Sequence, residues 1–492
     1  MEDREEDVSA SIALDVVVVG GGIAGLASAY ALQKAGHSVQ VLEKTDGKQR
    51  GDGGIWYSLY LQTRRALFML IYSSPPNMTR ILKNWGLGPR LEEVGFDCSE
   101  ITFHEGATGK VIGKIKQDQQ FFDELGTPMV TVQHADLYQM MYDIAVDTGV
   151  NVCFDTKVIG IDCKTATVIL ENGVKVKADL IVGADGPQGI VRRALGGEEP
   201  QKRQKGYMLL SFTILKSEIE GDEDLRSLVN GQGAHLWVGD EYCANATLIH
   251  SNTRFAVMLL YAVKEAASDC KAKFEWTTSH PMSYFELDLQ KFKPRLQKLI
   301  QLANQVKARV DYLDFEHLEN MFGDRCRVAL VGEAAHINLP SGGQMTAYSL
   351  EDAETLGRLF LCVKLEDRNQ VSQTLSAYED IRECRCTKAT PWEWDKRRIM
   401  CLPMGQEQEV RDSVWRHRDH LLWGDVDAVA YSGVWEHEFD VFGYDVAAAV
   451  EDWWVKWGCL MTQDPGKRVD LKRKEPVAEV VVSVSCSLED EV

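Results

Sequence analysis

Gly20, Gly22 and Gly25 follow the run Val16-Val17-Val18-Val19 in G-x-G-x-x-G spacing, and Glu43 stands eighteen residues beyond the last of them. These residue types in this order suit binding of a nucleotide diphosphate. The first glycine permits a tight turn, the second lets backbone approach a pyrophosphate, and the third lets the next helix pack closely on the sheet. That helix, predicted over 26–35, turns free N–H groups and the positive end of its dipole toward the diphosphate. Glu43 closes a second strand, Ser38 to Leu42, where a carboxylate accepts hydrogen bonds from ribose hydroxyls. The uninterrupted β-branched run reads as a strand buried on both faces, as in a parallel sheet covered on each side.

The rest of the chain must hold this unit. With 492 residues and 45% apolar content it can bury a large core, and it reads as two closely packed domains with a helical end. A net charge of −20 argues against nucleic acid as a partner. Twelve cysteines lack metal-ligand spacing. Cys384 and Cys386 are the nearest pair and would point to different faces of a helix, so reduced thiols in a cytoplasmic protein are expected. The first residues are acidic, with no apolar stretch before a cleavage site, and secretion is not expected. Ile55 to Ser74 has the length of a membrane span, but Arg64 and Arg65 near its middle would each cost a few kcal/mol there, so no integral membrane segment is expected.

Downstream, β-like and helical stretches alternate. Asp136 to Ala145 places Leu137, Met140, Met141 and Ile144 on one helical face. Two short strands around an Asn172-Gly173 turn are predicted next. From about Gln201 to Trp276, apolar alternation in SFTIL, AHLWVG and RFAVMLLYAV predicts an antiparallel sheet. Arg327 to His336 returns to a buried strand ending in a turn, and Ser349 to Leu361 reads as a helix that begins with the acids Glu351 and Asp352.

Three motifs in order then mark a family. The glycine fingerprint, GADGPQGIVR at Gly183 to Arg192 and LVGEAAHINLPSGGQMTAYSLEDA at Leu330 to Ala353 together resemble the FAD-dependent class A aromatic monooxygenases of the salicylate and p-hydroxybenzoate hydroxylase type. The fungal salicylate-hydroxylase-like branch is the nearest likeness, with PPNMTRILKNWGL at Pro75 and FGYDVAAAVEDWWVKWG at Phe442, and the likeness runs from Asp15 to about Gly458. It implies an α/β fold: a Rossmann-like FAD-binding domain of the glutathione-reductase type, interleaved with an antiparallel-sheet substrate domain and a helical C-terminal region. The expected boundaries are 12–200 and 316–365 for the FAD-binding domain, 201–315 for the substrate sheet, 366–460 for the helical region and 461–492 for a disordered tail.

The likeness implies FAD as cofactor, with NAD(P)H, O2 and a small aromatic substrate as reactants. Glu333, directly after a buried strand, can accept bonds from ribityl hydroxyls. Gly342 and Gly343 let backbone approach the flavin ring and set a helix N-terminus near its N1–O2 edge. Gly54, His134, Gly343 and Thr346 fall at flavin-contacting positions of the family. Asp185 and Arg192 belong to a motif serving both FAD and the nicotinamide; no second fingerprint exists, so NAD(P)H would bind transiently. In the implied reaction, NAD(P)H reduces FAD, O2 forms a flavin C4a-hydroperoxide, and an electron-rich aromatic carbon attacks its distal oxygen, with or without oxidative decarboxylation. Pro340 would border the reacting carbon. Arg192 is nominated as a functional charge, and Tyr207 and His250 as candidate bases. The preferred substrate is a salicylate-like or 4-hydroxybenzoate-like acid. The alternatives are a fungal indole-alkaloid or polyketide monooxygenase and a flavin-impaired homologue.

The chain departs from the family pattern at four positions. Glu333 replaces the usual aspartate, His134 an arginine that would supply a fixed charge and a bidentate donor, Gly189 a serine and Met345 a glycine. Residues 56–74 also intervene between Gly53-Gly54-Ile55 and Pro75-Pro76-Asn77, which relatives join almost directly. A retained intron or a lid over the pocket would account for them, the former favoured by the lack of any clear period. Peptides from Tyr57 to Leu70 in a digest of the native protein would exclude the intron.

Overall fold

The computed structural model describes residues 12–47, 75–97, 100–106, 108–116, 127, 130–196, 201–231, 233–264, 279–314, 327–336, 344–362, 369–416 and 440–461. Gly54, Pro340, Gly342, Gly343, the 56–74 segment and the 462–492 tail lie outside them.

The four valines after Asp15 form the middle strand of a five-stranded parallel sheet, ordered Val328–Leu330, Leu180–Gly183, Asp15–Val19, Ser38–Leu42, Asn151–Cys153. Side chains alternate across a strand, so the valines divide between two cores. Val16 and Val18 pack toward helices Ile23–Lys34 and Met345–Cys362. Val17 and Val19 pack toward a three-stranded antiparallel sheet, Lys175–Lys177, Thr167–Leu170, Val158–Asp162. That sheet corrects the predicted pair of strands. Gly173 does make the expected turn, at φ +83°, and the Val174 N–H donates to the Asn172 carboxamide 3.0 Å away.

The second body is an eight-stranded sheet ordered Ser279–His280, Val306–Asp314, Gln201–Leu215, Arg254–Lys264, Tyr242–Ile249, Gly233–Gly239, Glu100–Glu105, Val111–Lys116. It is antiparallel except where Gly233–Gly239 runs parallel to Glu100–Glu105. The sheet therefore recruits two strands that the sequence reading placed in the FAD-binding domain. One face buries Leu210, Phe212, Trp237 and Val257 against helix Pro294–Gln301. The opposite face, with Leu209, Leu236, Met258 and Leu260, belongs to the same core as helix Ile23–Lys34. The two bodies thus share one continuous core.

Helix Met345–Cys362 starts four residues before the predicted Ser349, with no acid in its first turn. Glu351 and Asp352 lie inside it and are fully buried. Propensity placed them at a helix start, where acids suit the dipole. Their pairing with arginines from helix Asn369–Met400 is long-range and overrides that local preference. Among the described residues no helix is long and apolar enough to cross a membrane.

Candidate active site

The glycine turn is held by contact. A Cβ on Gly20, whose φ is +106°, would lie 2.4 Å from the Ala184 carbonyl oxygen, and one on Gly25 would lie 2.0 Å from the Gly20 carbonyl oxygen. Gly22 faces open space, with nothing within 4 Å of its would-be Cβ. Two glycines thus seat helix Ile23–Lys34 against the sheet, and the third leaves room for a ligand at that helix's N-terminus. The Glu43 carboxylate folds over the turn, accepting from the Gly21 N–H at 2.7 Å and the Thr45 N–H at 2.8 Å.

Asp185 follows the adjacent strand, Leu180–Gly183. One of its oxygens accepts from the Val191 N–H at 3.2 Å, while the other is buried without a partner. Burial pushes its carboxyl above the usual range. A Cβ on Gly189 would meet that oxygen at 2.0 Å, so the carboxylate lies against the Gly189 backbone. The clear space at Gly22, where helix Ile23–Lys34 presents its first N–H groups, fits a group bearing phosphates, as FAD does.

Arg192 is 3% exposed and donates to the Ala334 carbonyl at 2.8 Å. It ties helix Ile190–Ala194 to the turn Gly332–Ala334, and burial lowers its pKa to about 10. Glu333 sits half-buried in that turn, and Thr346 lies in the first turn of helix Met345–Cys362. His134 begins helix His134–Asp147 with its Nδ1 buried and unpartnered. Burial and then the Lys307 charge pull its pKa to about 4, against an opposing pull from Glu333. Glu333 on the FAD side and Lys307 on the large sheet therefore both act on His134.

Of the two nominated bases, Tyr207 packs on the sheet face that belongs to the shared core, and His250 lies beside the start of helix His134–Asp147. Tyr207 lies in strand Gln201–Leu215 with the Arg397 guanidinium 4.8 Å from its ring centre. Burial raises its hydroxyl to about 12, which leaves it protonated at neutral pH and able to donate rather than abstract. His250 occupies a left-handed turn with Ser251 and Asn252, and its Nδ1 bridges to Asp136 at 2.9 Å. That side chain is 45% exposed and joins the turn to helix His134–Asp147.

Sequence reasoning missed the buried ionic cluster behind this site. Arg382 donates to Glu351 at 2.8 Å and Asp352 at 2.6 Å, Arg385 donates to Glu351 at 3.0 Å, and His336 faces Asp352 at 2.9 Å. Asn77 donates to Gln344 at 3.0 Å and to Glu351 at 2.7 Å, coupling the Pro-Pro-Asn segment to the start of helix Met345–Cys362. It also missed Lys307, Ser211 and Asn245, buried polar residues on the sheet face turned toward the FAD-binding half. The only signal for them is strict alternation, since polar residues at these positions share a face with Leu209, Met258 and Leu236.

Residues 13–393 match the family model described as FAD binding domain. Hispidin-3-hydroxylase of Neonothopanus nambi is 26% identical over 391 residues, covering 76% of this chain and 86% of its own. The 3-hydroxybenzoate 6-hydroxylase of Polaromonas naphthalenivorans is 26% identical over 413 residues, covering 82% and 92%. Among solved structures, a salicylate hydroxylase substrate complex superposes with a TM-score of 0.62 at 16% identity, over 89% of this chain and 97% of that one. That likeness is one of fold.

Proposed function

The chain belongs to the FAD binding domain family, and from that premise we propose that it is an FAD-dependent, NAD(P)H-consuming monooxygenase that hydroxylates an aromatic substrate. The observation that carries this reading is the glycine turn, whose Gly22 side is clear of protein at the start of helix Ile23–Lys34. Bound FAD supplies the capacity to accept hydride from NAD(P)H and to activate O2.

The chain's own residues do the rest. Glu43 accepts ribose hydroxyls beside the fingerprint, while the N–H groups at the start of helix Ile23–Lys34 meet the pyrophosphate. Asp185 and Glu333 take hydroxyls toward the flavin end. The first turn of helix Met345–Cys362 carries no acid, so its dipole is free to favour negative charge placed near it. His134 is neutral at pH 7 and offers one hydrogen-bonding nitrogen there without the fixed charge of an arginine. The apolar core shared by the two bodies keeps water from the space between them. The names of the relatives support an aromatic ring bearing an oxygen substituent, and phenolic acids of the salicylate or 4-hydroxybenzoate kind are the first to test. The reading places the enzyme in the cytoplasm, where NAD(P)H is supplied.

Purified protein should be yellow or take up FAD, and its NAD(P)H oxidation should rise with an accepted substrate. Product mass then separates oxygen insertion from insertion with loss of CO2. A folded, colourless protein that FAD does not reconstitute refutes the reading.

A further inference from the structure

Three buried polar side chains line up across the large sheet. Lys307 pairs in register with Ser211, Ser211 with Met258 and Met258 with Asn245, so the four cross four adjacent strands on one face. That face belongs to the core shared with the FAD-binding half. Their exposures are 9%, 2%, 6% and 7%. The Ser211 hydroxyl and the Asn245 carboxamide oxygen are buried and make no hydrogen bond, as does the nearby His134 Nδ1. Buried polar atoms are mostly paired, and two unpaired on one row of the sheet, with a third on the neighbouring helix, suit a polar occupant.

We propose that this row selects the substrate: an aromatic compound longer than one ring, its anionic oxygen on Lys307 and Ser211 and a hydrogen-bond donor at its far end on Asn245. The proposal rests on the monooxygenase reading and names the substrate class of that same site. The spacing carries the length. Strands lie about 4.8 Å apart, so Lys307 and Asn245 start about 14 Å apart at the backbone, with apolar Met258 between Ser211 and Asn245. Lysine can lean toward Ser211, but asparagine is short and cannot cover the gap from the other end. One benzene ring reaches Lys307 and Ser211 and leaves the Asn245 oxygen without a partner. Two rings, whose middle lies on Met258, satisfy both ends. The ends also differ in sign: Lys307 is a cation whose field reaches His134, whereas the carboxamide oxygen accepts a proton donor.

The test uses the full FAD-loaded chain, with flavin difference absorbance and calorimetry reading the binding of four probes. These are 6-hydroxy-2-naphthoate, 2-naphthoate, 2,6-dihydroxynaphthalene and 4-hydroxybenzoate. The first should bind about tenfold or more tightly than each of the others, the ratio expected for one charge-assisted or one buried hydrogen bond. Lys307→Met should abolish the preference for 6-hydroxy-2-naphthoate over 2,6-dihydroxynaphthalene, and Lys307→Arg should keep it. Asn245→Leu should abolish only the preference over 2-naphthoate. Far-UV circular dichroism and flavin content identify variants that fold. If 4-hydroxybenzoate binds as tightly as 6-hydroxy-2-naphthoate, or Lys307→Met keeps the carboxylate preference, the proposal is overturned. A yellow protein whose NAD(P)H oxidation responds to an aromatic substrate but which binds none of the four probes overturns the row alone. A chain that takes no FAD overturns the parent reading, and calorimetry still reports the row.

Discussion

Asp352→Asn probes the buried cluster through a pH signature that no packing defect would imitate. Asp352 is fully buried and accepts from His336 at 2.9 Å, from Arg382 at 2.6 Å and from the Gly332 N–H at 2.7 Å. Burial alone would push the His336 pKa down, but the adjacent carboxylate outweighs it and holds the imidazolium up to about 10. An unfolded histidine titrates near 6.5, so the folded value is raised. Its stabilisation is therefore complete below about pH 6.5 and is lost as pH rises toward 10, at up to about 1.4 kcal/mol per pH unit. Asparagine keeps a hydrogen-bond acceptor but removes the charge, leaving Arg382 paired with Glu351 alone. Breaking one partner of a buried ion pair costs about 3–5 kcal/mol, which is the deficit expected at pH 6.5. In the variant, burial leaves His336 neutral through the alkaline range, so the deficit should shrink as pH rises. Thermal or urea midpoints of both proteins, saturated with FAD and measured from pH 6.5 to 9.5, test this. Other titrating groups are common to both proteins and cancel in the difference. Curves that run parallel across the range would refute the assignment of a charged His336.

Gly25→Ala should abolish FAD retention on dialysis, because its methyl would sit 2.0 Å from the Gly20 carbonyl oxygen and push the helix off the sheet; a yellow variant of wild-type affinity contradicts the close approach. Glu43→Ala and Glu333→Ala should each weaken FAD binding by about 1–3 kcal/mol by leaving ligand hydroxyls poorly paired. Both should stay folded by circular dichroism, and full flavin occupancy in both would mean that the cofactor lies elsewhere. Burial lowers His104 to about 3 and both His134 and His235 to about 4. Depressed histidines stabilise the fold above about pH 6.5 and lose that contribution as pH falls toward 4. Melting temperature should therefore drop between pH 6.5 and 4.5, and His104→Phe with His235→Leu should flatten the slope. An unchanged melting temperature over that interval would count against neutral, buried imidazoles.

The nucleotide half was legible because its signals are local. Strand Ser38–Leu42 matches its predicted bounds, and helix Ile23–Lys34 differs from the predicted 26–35 only at its ends, starting directly after Gly22 and taking in Gly25. Helix His134–Asp147 surfaced through apolar periodicity, with Leu137, Met140 and Met141 buried as expected. What escaped depends on contacts between distant residues. Glu351 and Asp352 read as acids at a helix start until Arg382 and Arg385, some thirty residues on, are brought against them. Glu100–Lys116 joined the large sheet through a parallel pairing with Gly233–Gly239, a register that no local pattern encodes. Lys307, Ser211 and Asn245 gave no signal of their own, because alternation reveals that two faces exist and not that both are covered.

The cluster also gives the C-terminal helices a role in the site. Arg385 reaches past Glu351 to the carbonyls of Asp440 and Val441, and its guanidinium lies 4.3 Å from the Tyr444 ring centre. The FGYDV motif is thereby fastened to the middle of helix Met345–Cys362. Within the cluster, the cations His336, Arg382 and Arg385 face the two carboxylates of Glu351 and Asp352, an excess of one positive charge in a fully buried setting. Such a charge is weakly screened by solvent, and it lies within about two turns of the helix N-terminus. Its field adds to the dipole at that end. The C-terminal region therefore positions the helix and biases the adjoining space toward a ligand that carries negative charge.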